Sequence, residues 1–173
     1  SEMCIRDRCR FAEKKKYIDW NEREKELRDL LDRHRKNDGS FDCIVPGSGG
    51  KDSVYASHIL KYKYNMNPLT VTWAPLSYTN IGWENLQSSI NAGFDNNLFR
   101  PNGLLQRKLA RLCLEEFGDA FHAFVLGQTY FPIHMALKFN IQLIFYGENG
   151  ELEYAGDPKL VDRPDVNLTE NEN

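Results

Sequence analysis

A glycine-rich stretch that joins an apolar segment to a helical segment constrains this chain most strongly. Residues 41–46 form a short apolar run bounded by turn residues, which predicts a buried strand, and a helical pattern starts at Asp52. Phosphate groups need closely spaced backbone N–H donors and room to approach them, and glycine provides that room. The start of a helix adds free N–H groups and the positive end of its dipole. The stretch therefore predicts a phosphate-binding loop made of Gly47, Ser48, Gly49, Gly50, Lys51, Asp52 and Ser53.

Two widespread phosphate motifs do not fit this stretch. The Walker P-loop places a glycine five residues before the glycine that precedes its lysine, and serine or threonine directly after the lysine. Val45 and Asp52 occupy those positions here. The dinucleotide motif GxGxxG also fails, because nothing after Gly49 supplies the third glycine. In the stretch that remains, Ser48 and Ser53 supply hydroxyl donors and Lys51 supplies a positive charge.

Strands and helices alternate through the rest of the sequence. Such alternation implies an α/β fold, a parallel sheet with helices on both faces. Ligands bind these sheets beyond the carboxyl ends of the strands, which places the site after Pro46, Trp73 and Tyr146. The pattern predicts strands over 41–46, 69–73, 97–100 and 141–146, and leaves 121–126 as strand or loop. It predicts helices over 20–36 and 52–64, around Trp83–Ile90, and from Pro132. A further helix follows the capping residue Asn102 and has an apolar face of Leu105, Leu109, Leu112 and Cys113.

Composition and charge exclude several classes of protein. The chain has 173 residues, a hydrophobic fraction of 41% and an aromatic fraction of 12%, which fits one globular domain with a core. The net charge of −3 gives no electrostatic reason to expect a nucleic acid partner. No apolar run approaches the ~20 residues of a membrane span, and the N-terminus shows no signal-like segment, so we expect a cytoplasmic protein with no membrane partner. Cys43 and Cys113 lie in apolar patterns and are predicted to be buried.

The six residues Ser48–Ser53 resemble the SGGKDS signature of the ATP-pyrophosphatase, or PP-loop, family, and they lie in the strand–loop–helix context of that signature. The resemblance implies a Rossmann-like, three-layer domain of the adenine nucleotide alpha hydrolase type over residues 41–150. It implies an enzyme that uses ATP with Mg²⁺ to adenylate a carbonyl-type oxygen, with the loop holding the departing pyrophosphate. Lys51 would stabilise the charge that develops there. Asp52 would hold Mg²⁺, directly or through water, unless it is simply a favourable acid in the first helical turn.

Further segments resemble the N-acetyl sugar amidotransferases, the PP-loop enzymes of pseudaminic acid and lipopolysaccharide O-antigen sugar synthesis. These enzymes convert an acetamido group on a nucleotide-linked sugar into an acetamidino group, with ammonia from a separate glutaminase subunit. The resemblance therefore implies a nucleotide-linked N-acetyl sugar as substrate, a glutaminase as partner, and a role in surface polysaccharide or flagellin glycan synthesis. The matching segments are Cys9–Lys16, Ile18–Trp20, Asp42–Pro46, Asn80–Trp83, Ala92–Asp95, Leu126–Gln128, Phe145–Glu151 and Glu153–Tyr154.

The resemblance adds further candidate site residues, each with a simpler structural alternative. Trp73 ends the second strand, where these proteins seat adenine, but it also suits the core. Glu148 follows a buried strand, where a catalytic carboxylate would bind Mg²⁺ or orient ammonia; the alternative is a turn residue. Gln128, preceded by Gly127, would hydrogen-bond the sugar or the nucleotide; the alternative is a polar residue at a helix start.

The two ends of the chain lead to separate expectations. Residues 1–8 resemble translated sequencing-adapter sequence, so we expect an artefact there, followed by a lead-in and a charged helix over 9–40. The family often has a CxxC zinc pair in this lead-in, but Arg6 stands where the partner of Cys9 would be. One cysteine cannot form a tetrahedral zinc site, so zinc is expected only in a complete protein. Residues 151–173 are expected to begin a truncated C-terminal region.

Two other functions remain open. A PP-loop enzyme that modifies tRNA, by thiolation or lysine addition, would favour a basic patch and stacking aromatic residues, whereas this chain is mildly acidic. The second is a non-catalytic ATP-binding module, although the intact Lys51 and Asp52 favour activity. Sugar-dependent pyrophosphate release, tRNA binding with a steep salt dependence, or ATP binding without turnover would distinguish the three functions.

Overall fold

A computed structural model of the chain describes Glu13 and residues 15–148. Several expectations fall outside these residues. They are the artefact at 1–8, the zinc candidate Cys9 with most of the lead-in, the end of the segment over 145–151, Glu153, Tyr154, and the C-terminal region over 151–173.

The described residues alternate between strands and helices, as the sequence predicts. A 3₁₀ turn precedes the first helix, and a π-helical turn continues the second one. In chain order, the elements are the 3₁₀ turn Lys15–Tyr17, α1 Trp20–His34, β1 Cys43–Pro46, α2 Lys51–His58, the π-helical turn Ile59–Lys63, β2 Pro68–Trp73, α3 Asn80–Asn91, β3 Asn96–Phe99, α4 Gly103–Phe117 and α5 His122–Lys138.

The three strands form a parallel sheet in the order β1-β2-β3. Pro46 at the end of β1 lies opposite Val71 of β2, and Trp73 at the end of β2 lies opposite Phe99 of β3. On the other side of β1, Ile144 forms a parallel bridge with Ile44. The chain therefore leaves β1 in one direction and returns on its other side after α5, which makes the carboxyl end of β1 a topological switch point.

The strand that the sequence predicts over 141–146 is wrong in extent, because within it the structure assigns only the Ile144 bridge. Hydrogen bonds hold the bridge on both sides, from Ile44 N to Leu143 O at 2.9 Å and from Phe145 N to Ile44 O at 2.8 Å. Ile141 cannot extend the ladder through its N–H, which is donated to Ala136 O at the end of α5, at 2.8 Å. The end of the helix thus shortens the strand.

Helices cover both faces of the sheet. On one face, Ile44 and Val71 pack with Phe131 and Met135 of α5. On the other face, Cys43 and Val45 pack with Leu31 of α1 and with Leu60, Tyr64 and Met66, which lie in and after the π-helical turn. The fold is therefore α/β with a helical layer on each side of a parallel sheet, an arrangement compatible with a Rossmann-like fold.

The long helix α5 corrects two expectations. It begins at His122, so the segment over 121–126 is neither strand nor loop, and Pro132 lies inside the helix rather than in its first turn. The turn before α5 is set by the Asp119 carboxylate, which accepts a hydrogen bond from Phe121 N at 2.8 Å. Pro132 cannot donate the usual helical hydrogen bond, but it is buried in a helix of 17 residues whose Phe131 and Met135 pack on the sheet, and this packing offsets the loss.

Helix α4 is capped as predicted but turned differently. The Asn102 side chain accepts hydrogen bonds from Leu104 N and Leu105 N at 3.0 and 3.2 Å. Gln106 and Cys113 are buried. The other residues of the predicted apolar face, Leu105, Leu109 and Leu112, are 57%, 39% and 51% exposed. Of the predicted apolar face, only Cys113 is buried by tertiary packing, and the three leucines remain at the surface.

Both cysteines in the described residues are buried, which confirms the expectation for Cys43 and Cys113. Burial raises the pKa of the Cys43 thiol to about 12, so it remains protonated near neutral pH and serves as a small apolar residue of the sheet. No helix in the described part of the chain has the length and apolar character needed to cross a membrane.

Candidate functional site

The glycine-rich loop is tied to the sheet at its first residue. Gly47 N donates a hydrogen bond to Val71 O at 3.0 Å, and Thr72 Oγ1 donates one to Gly47 O at 2.6 Å. The loop then ends in α2, whose N-cap is Gly50. Since Gly50 brings no side-chain acceptor, it leaves the first N–H groups of the helix available to an anion.

Gly49 is the residue at which the loop could not accept a side chain. Its φ of +88° lies in the left-handed region. A Cβ built on it would lie 2.6 Å from Leu86 N and 2.7 Å from Leu86 Cα, so the backbone of α3 closes directly over the loop. The glycine at this position is therefore required both by its backbone angle and by the close approach of a helix.

The segment that follows the Ile144 bridge reaches the same place. A Cβ on Gly147 would lie 2.7 Å from Ser53 N and 2.8 Å from the carbonyl carbon of Asp52. The next residue, Glu148, is exposed. The structure thus brings together two of the three predicted strand ends, the one after Pro46 and the one after Tyr146, at the switch point of the sheet.

The two charged residues of the loop pair with each other. Lys51 Nζ lies 2.8 Å from Asp52 Oδ1 and 2.7 Å from Asp52 Oδ2, and the two side chains are 87% and 50% exposed. An exposed ion pair of this kind contributes little to stability, so its partners can be exchanged at low cost. A polyphosphate would compete for the lysine, and a divalent cation would compete for the carboxylate.

The structure shows no group of three or more histidine, cysteine, aspartate or glutamate residues that could hold a metal, within the residues it describes. Mg²⁺ commonly uses only one or two carboxylates and completes its shell with phosphate oxygens and water. The chemistry of Asp52, within the predicted phosphate-binding loop, fits that mode.

Trp73 lies on the α5 face of the sheet, within an aromatic cluster. Its ring is stacked on Phe99, with a centroid distance of 5.0 Å and an interplanar angle of 25°, and lies 5.8 Å from the ring of Phe131. A Cβ on Gly127 would lie 2.5 Å from Cζ2 of Trp73 and closer still to Nε1 and Cε2. These contacts are those of a packing residue, and an adenine contact by Trp73 stays a prediction.

Gly127 and Gln128 lie in the second turn of α5. The suggestion that Gln128 is a polar residue at a helix start is therefore wrong, because the helix begins earlier, at His122. Gly127 has a clear packing role against the indole of Trp73, and Gln128 is exposed. A hydrogen bond from Gln128 to a ligand, and a cofactor contact by Gly127, stay predictions.

Sequence reasoning missed a buried polar network beneath the loop. Asn96 Nδ2 donates to Thr72 Oγ1 at 3.0 Å and to Thr70 Oγ1 at 2.9 Å, and Thr72 in turn donates to Gly47 O. Thr72 is only 1% exposed. The available signal was the pair of threonines at alternate positions of a strand predicted to be buried, since buried hydroxyl groups need partners.

Comparison with known proteins finds a partial match. No protein-family model matches the chain. A stretch of 47 residues is 47% identical to part of an uncharacterized protein of Methanocaldococcus jannaschii. The stretch covers 27% of this chain and 17% of that relative, so the chain spans well under two thirds of the relative it matches.

Proposed function

We propose that this chain is the ATP-binding part of a PP-loop enzyme that activates its substrate by adenylation and releases AMP and pyrophosphate. One observation carries the proposal. The intact signature Ser48–Ser53 connects a parallel strand to a helix at the switch point of the sheet, and Gly147 from the opposite crossover packs against it. A phosphate-binding signature at the place where such sheets bind ligands is a combination of two independent indications.

The residues of the loop suit an ATP polyphosphate. Gly50 has open space beside its backbone, and the first turn of α2 offers N–H donors to phosphate oxygens. Lys51 would turn from Asp52 towards the departing pyrophosphate and stabilise its developing charge. Asp52 would then be free to hold Mg²⁺ with phosphate oxygens and water, and Glu148 would approach from the other crossover.

The proposed reaction is that of an N-acetyl sugar amidotransferase. The oxygen of an acetamido group attacks the α-phosphorus of ATP, and pyrophosphate leaves. Ammonia from a glutaminase partner then adds to the activated carbon, AMP leaves, and an acetamidino group results. A nucleotide-linked sugar substrate, a cytoplasmic location and a role in surface glycan synthesis belong to this proposal. It rests on the resemblance of separate segments within the described residues, from Asp42–Pro46 to Gly147 and Glu148.

Replacing the loop lysine tests ATP binding. In a titration with Mg·ATP, Lys51→Ala is expected to weaken binding about tenfold or more, because a hydrogen bond to a charged group contributes ~1.5–3 kcal/mol. Lys108→Ala, which removes an exposed lysine of α4, is the control and should bind as the wild type does. Equal affinity of Lys51→Ala and wild type, or no binding by a folded wild type, would contradict the proposal. Formation of AMP and pyrophosphate only with the sugar would then support the amidotransferase reaction.

Removing the hydroxyl group beneath the loop tests whether the sheet positions it. Thr72→Val frees the carbonyl of Gly47, and we expect about a tenfold loss of Mg·ATP affinity together with a loss of ~1–2 kcal/mol in the free energy of unfolding. Thr70→Val removes the other threonine that binds Asn96 but has no bond to the loop, so it should lose stability and keep its affinity. Thr72→Ser should restore binding. Equal affinities for the two valine variants would show that Thr72 has no influence on the loop.

A further inference from the structure

A second ligand-sized space lies on the face of the sheet that α5 covers. Helix α5 packs over β1 and β2, whose Ile44 and Val71 it contacts, and a groove remains between the helix and β3. The volume of this groove is about 460 Å³, within the range of small-molecule sites. It is lined by Trp73, Asn97, Phe99, Gly127, Tyr130, Phe131, His134, Met135 and Lys138.

The groove has an aromatic wall at one end. Trp73 and Phe99 are stacked on each other, and Phe131 packs against both rings. Phe99 and Tyr130 nevertheless remain 45% and 47% exposed. Two aromatic rings that flank a groove and keep nearly half of their surface open are suited to a planar ring, because stacking on them removes apolar surface on both sides.

Polar groups in the groove lack partners within the described residues. The indole Nε1 of Trp73 is buried and donates to no acceptor. The side chains of Asn97, His134 and Lys138 form no hydrogen bond or ion pair with any described residue. The Trp73 Nε1 lies beneath Gly127 and is closed to the groove, so the polar groups that a ligand can reach are those of Asn97, His134 and Lys138.

Charge in the groove favours an anion. Lys138 is cationic, His134 lies one helical turn before it, and no described residue that lines the groove is acidic. Gly127, beside the aromatic wall, precedes Lys138 by eleven residues of one helix, which corresponds to ~16 Å along α5. The groove is therefore long enough to hold an aromatic ring at one end and a phosphate group at the other.

We propose that this groove binds a nucleoside phosphate, separate from the ATP at the loop, so that Trp73 and Gly127 lie beside this second ligand instead of beside the adenine of ATP. The base stacks against Phe99 and Tyr130, next to the buried indole of Trp73, and the phosphate groups lie near Lys138 and His134. The inference deepens the proposed function by assigning a place to the nucleotide part of the nucleotide-linked substrate. This identification of the ligand rests on the proposed function. Its physical basis, however, is independent of the loop.

The test follows the indole N–H signal of Trp73 by NMR spectroscopy while uridine diphosphate is added. The signal is assigned by its loss in Trp73→Phe, and the signals of Trp20 and Trp83 serve as internal references. We expect a saturable shift of the Trp73 signal alone. Lys138→Gln should raise the dissociation constant about tenfold, as expected for the loss of a charge-assisted bond, whereas the control Lys108→Gln should leave it unchanged.

A second variant distinguishes binding at the groove from binding at the loop. Lys51→Ala should shift the Trp73 signal on addition of uridine diphosphate as much as the wild type does. The shift should also be the same whether Mg·ATP is absent or present. An unmoved Trp73 signal, or a shift that depends on Lys51 and not on Lys138, would overturn the inference. A Trp73 shift that appears on raising the protein concentration alone would mean that a second copy of the chain covers the groove, which would also overturn it. Failure of Mg·ATP to bind refutes the proposed function and leaves the groove result standing.

Discussion

Gly49→Ala is expected to lower the free energy of unfolding by about 2–5 kcal/mol and to abolish Mg·ATP binding in whatever fraction remains folded. The left-handed backbone costs alanine ~1–2 kcal/mol. The Cβ overlap with the backbone of Leu86 adds a cost of about 1–3 kcal/mol for overpacking, since a helix backbone cannot turn away as a side chain can. This is a large fraction of the ~5–15 kcal/mol that stabilises a typical domain.

Two other glycines separate the contributions at Gly49. Gly39 has a φ of +81°, and no atom lies within 4 Å of the position that a Cβ would take there, so Gly39→Ala isolates the cost of the backbone angle. Gly50, the neighbour in the loop, has open space for a Cβ and a φ of −71°, so Gly50→Ala should change stability little. Chemical unfolding of the three variants measures the differences. If Gly49→Ala were no less stable than Gly39→Ala, the close approach of α3 to the loop would be wrong.

The loop and its frame were predictable because their signals are local. The apolar run before Gly47, the glycines and the helix start at Lys51 are adjacent in the sequence, and the structure reproduces this junction. The cap at Asn102 is equally local, since its carboxamide binds N–H groups two and three residues later. Features that depend on backbone chemistry within a few residues can be predicted from one sequence.

Other features depend on contacts between distant segments. The sequence could not show that α5 begins at His122, because an apolar stretch such as 121–126 suits a strand or a buried helix, and Pro132 normally marks a helix start. It also could not show that α4 turns Leu105, Leu109 and Leu112 towards the solvent. Both outcomes depend on tertiary packing, in which α5 occupies one face of the sheet.

The site shows the same division. The sequence contains Thr72 and Asn96 at separate strands, and only the parallel register of β2 and β3 makes them a chain of hydrogen bonds to Gly47. The packing role of Gly127 was also not predictable, because its proximity to Trp73 results from the packing of α5 on the sheet. A glycine in a helical segment is visible in a sequence, but the ring that requires it is not.

Gly127→Ala should destabilise the chain, because the cost of overpacking exceeds the gain in helix propensity. Inside a helix, alanine is favoured over glycine by ~1 kcal/mol. Against this, the new Cβ would overlap the indole of Trp73, whose ring is held between α5, Phe99 and Phe131. Overpacking of this kind costs about 1–3 kcal/mol, and the overlap here is severe, so we expect a net loss of about 1–2 kcal/mol in the free energy of unfolding.

A smaller ring at position 73 should reverse the effect of the alanine. Trp73→Phe alone is expected to destabilise the chain by leaving a cavity, but Gly127→Ala introduced into Trp73→Phe should then cost less than it does in the wild type, or should stabilise the chain. Gly103→Ala, whose Cβ meets no atom within 4 Å, is the control for alanine at a helical glycine and should stabilise the chain, by at most ~1 kcal/mol because Gly103 is the first residue of α4. Unfolding measurements on the double-mutant cycle give the coupling energy directly. A coupling energy near zero would mean that α5 does not lie on Trp73, and the groove between α5 and β3 would lose its aromatic wall.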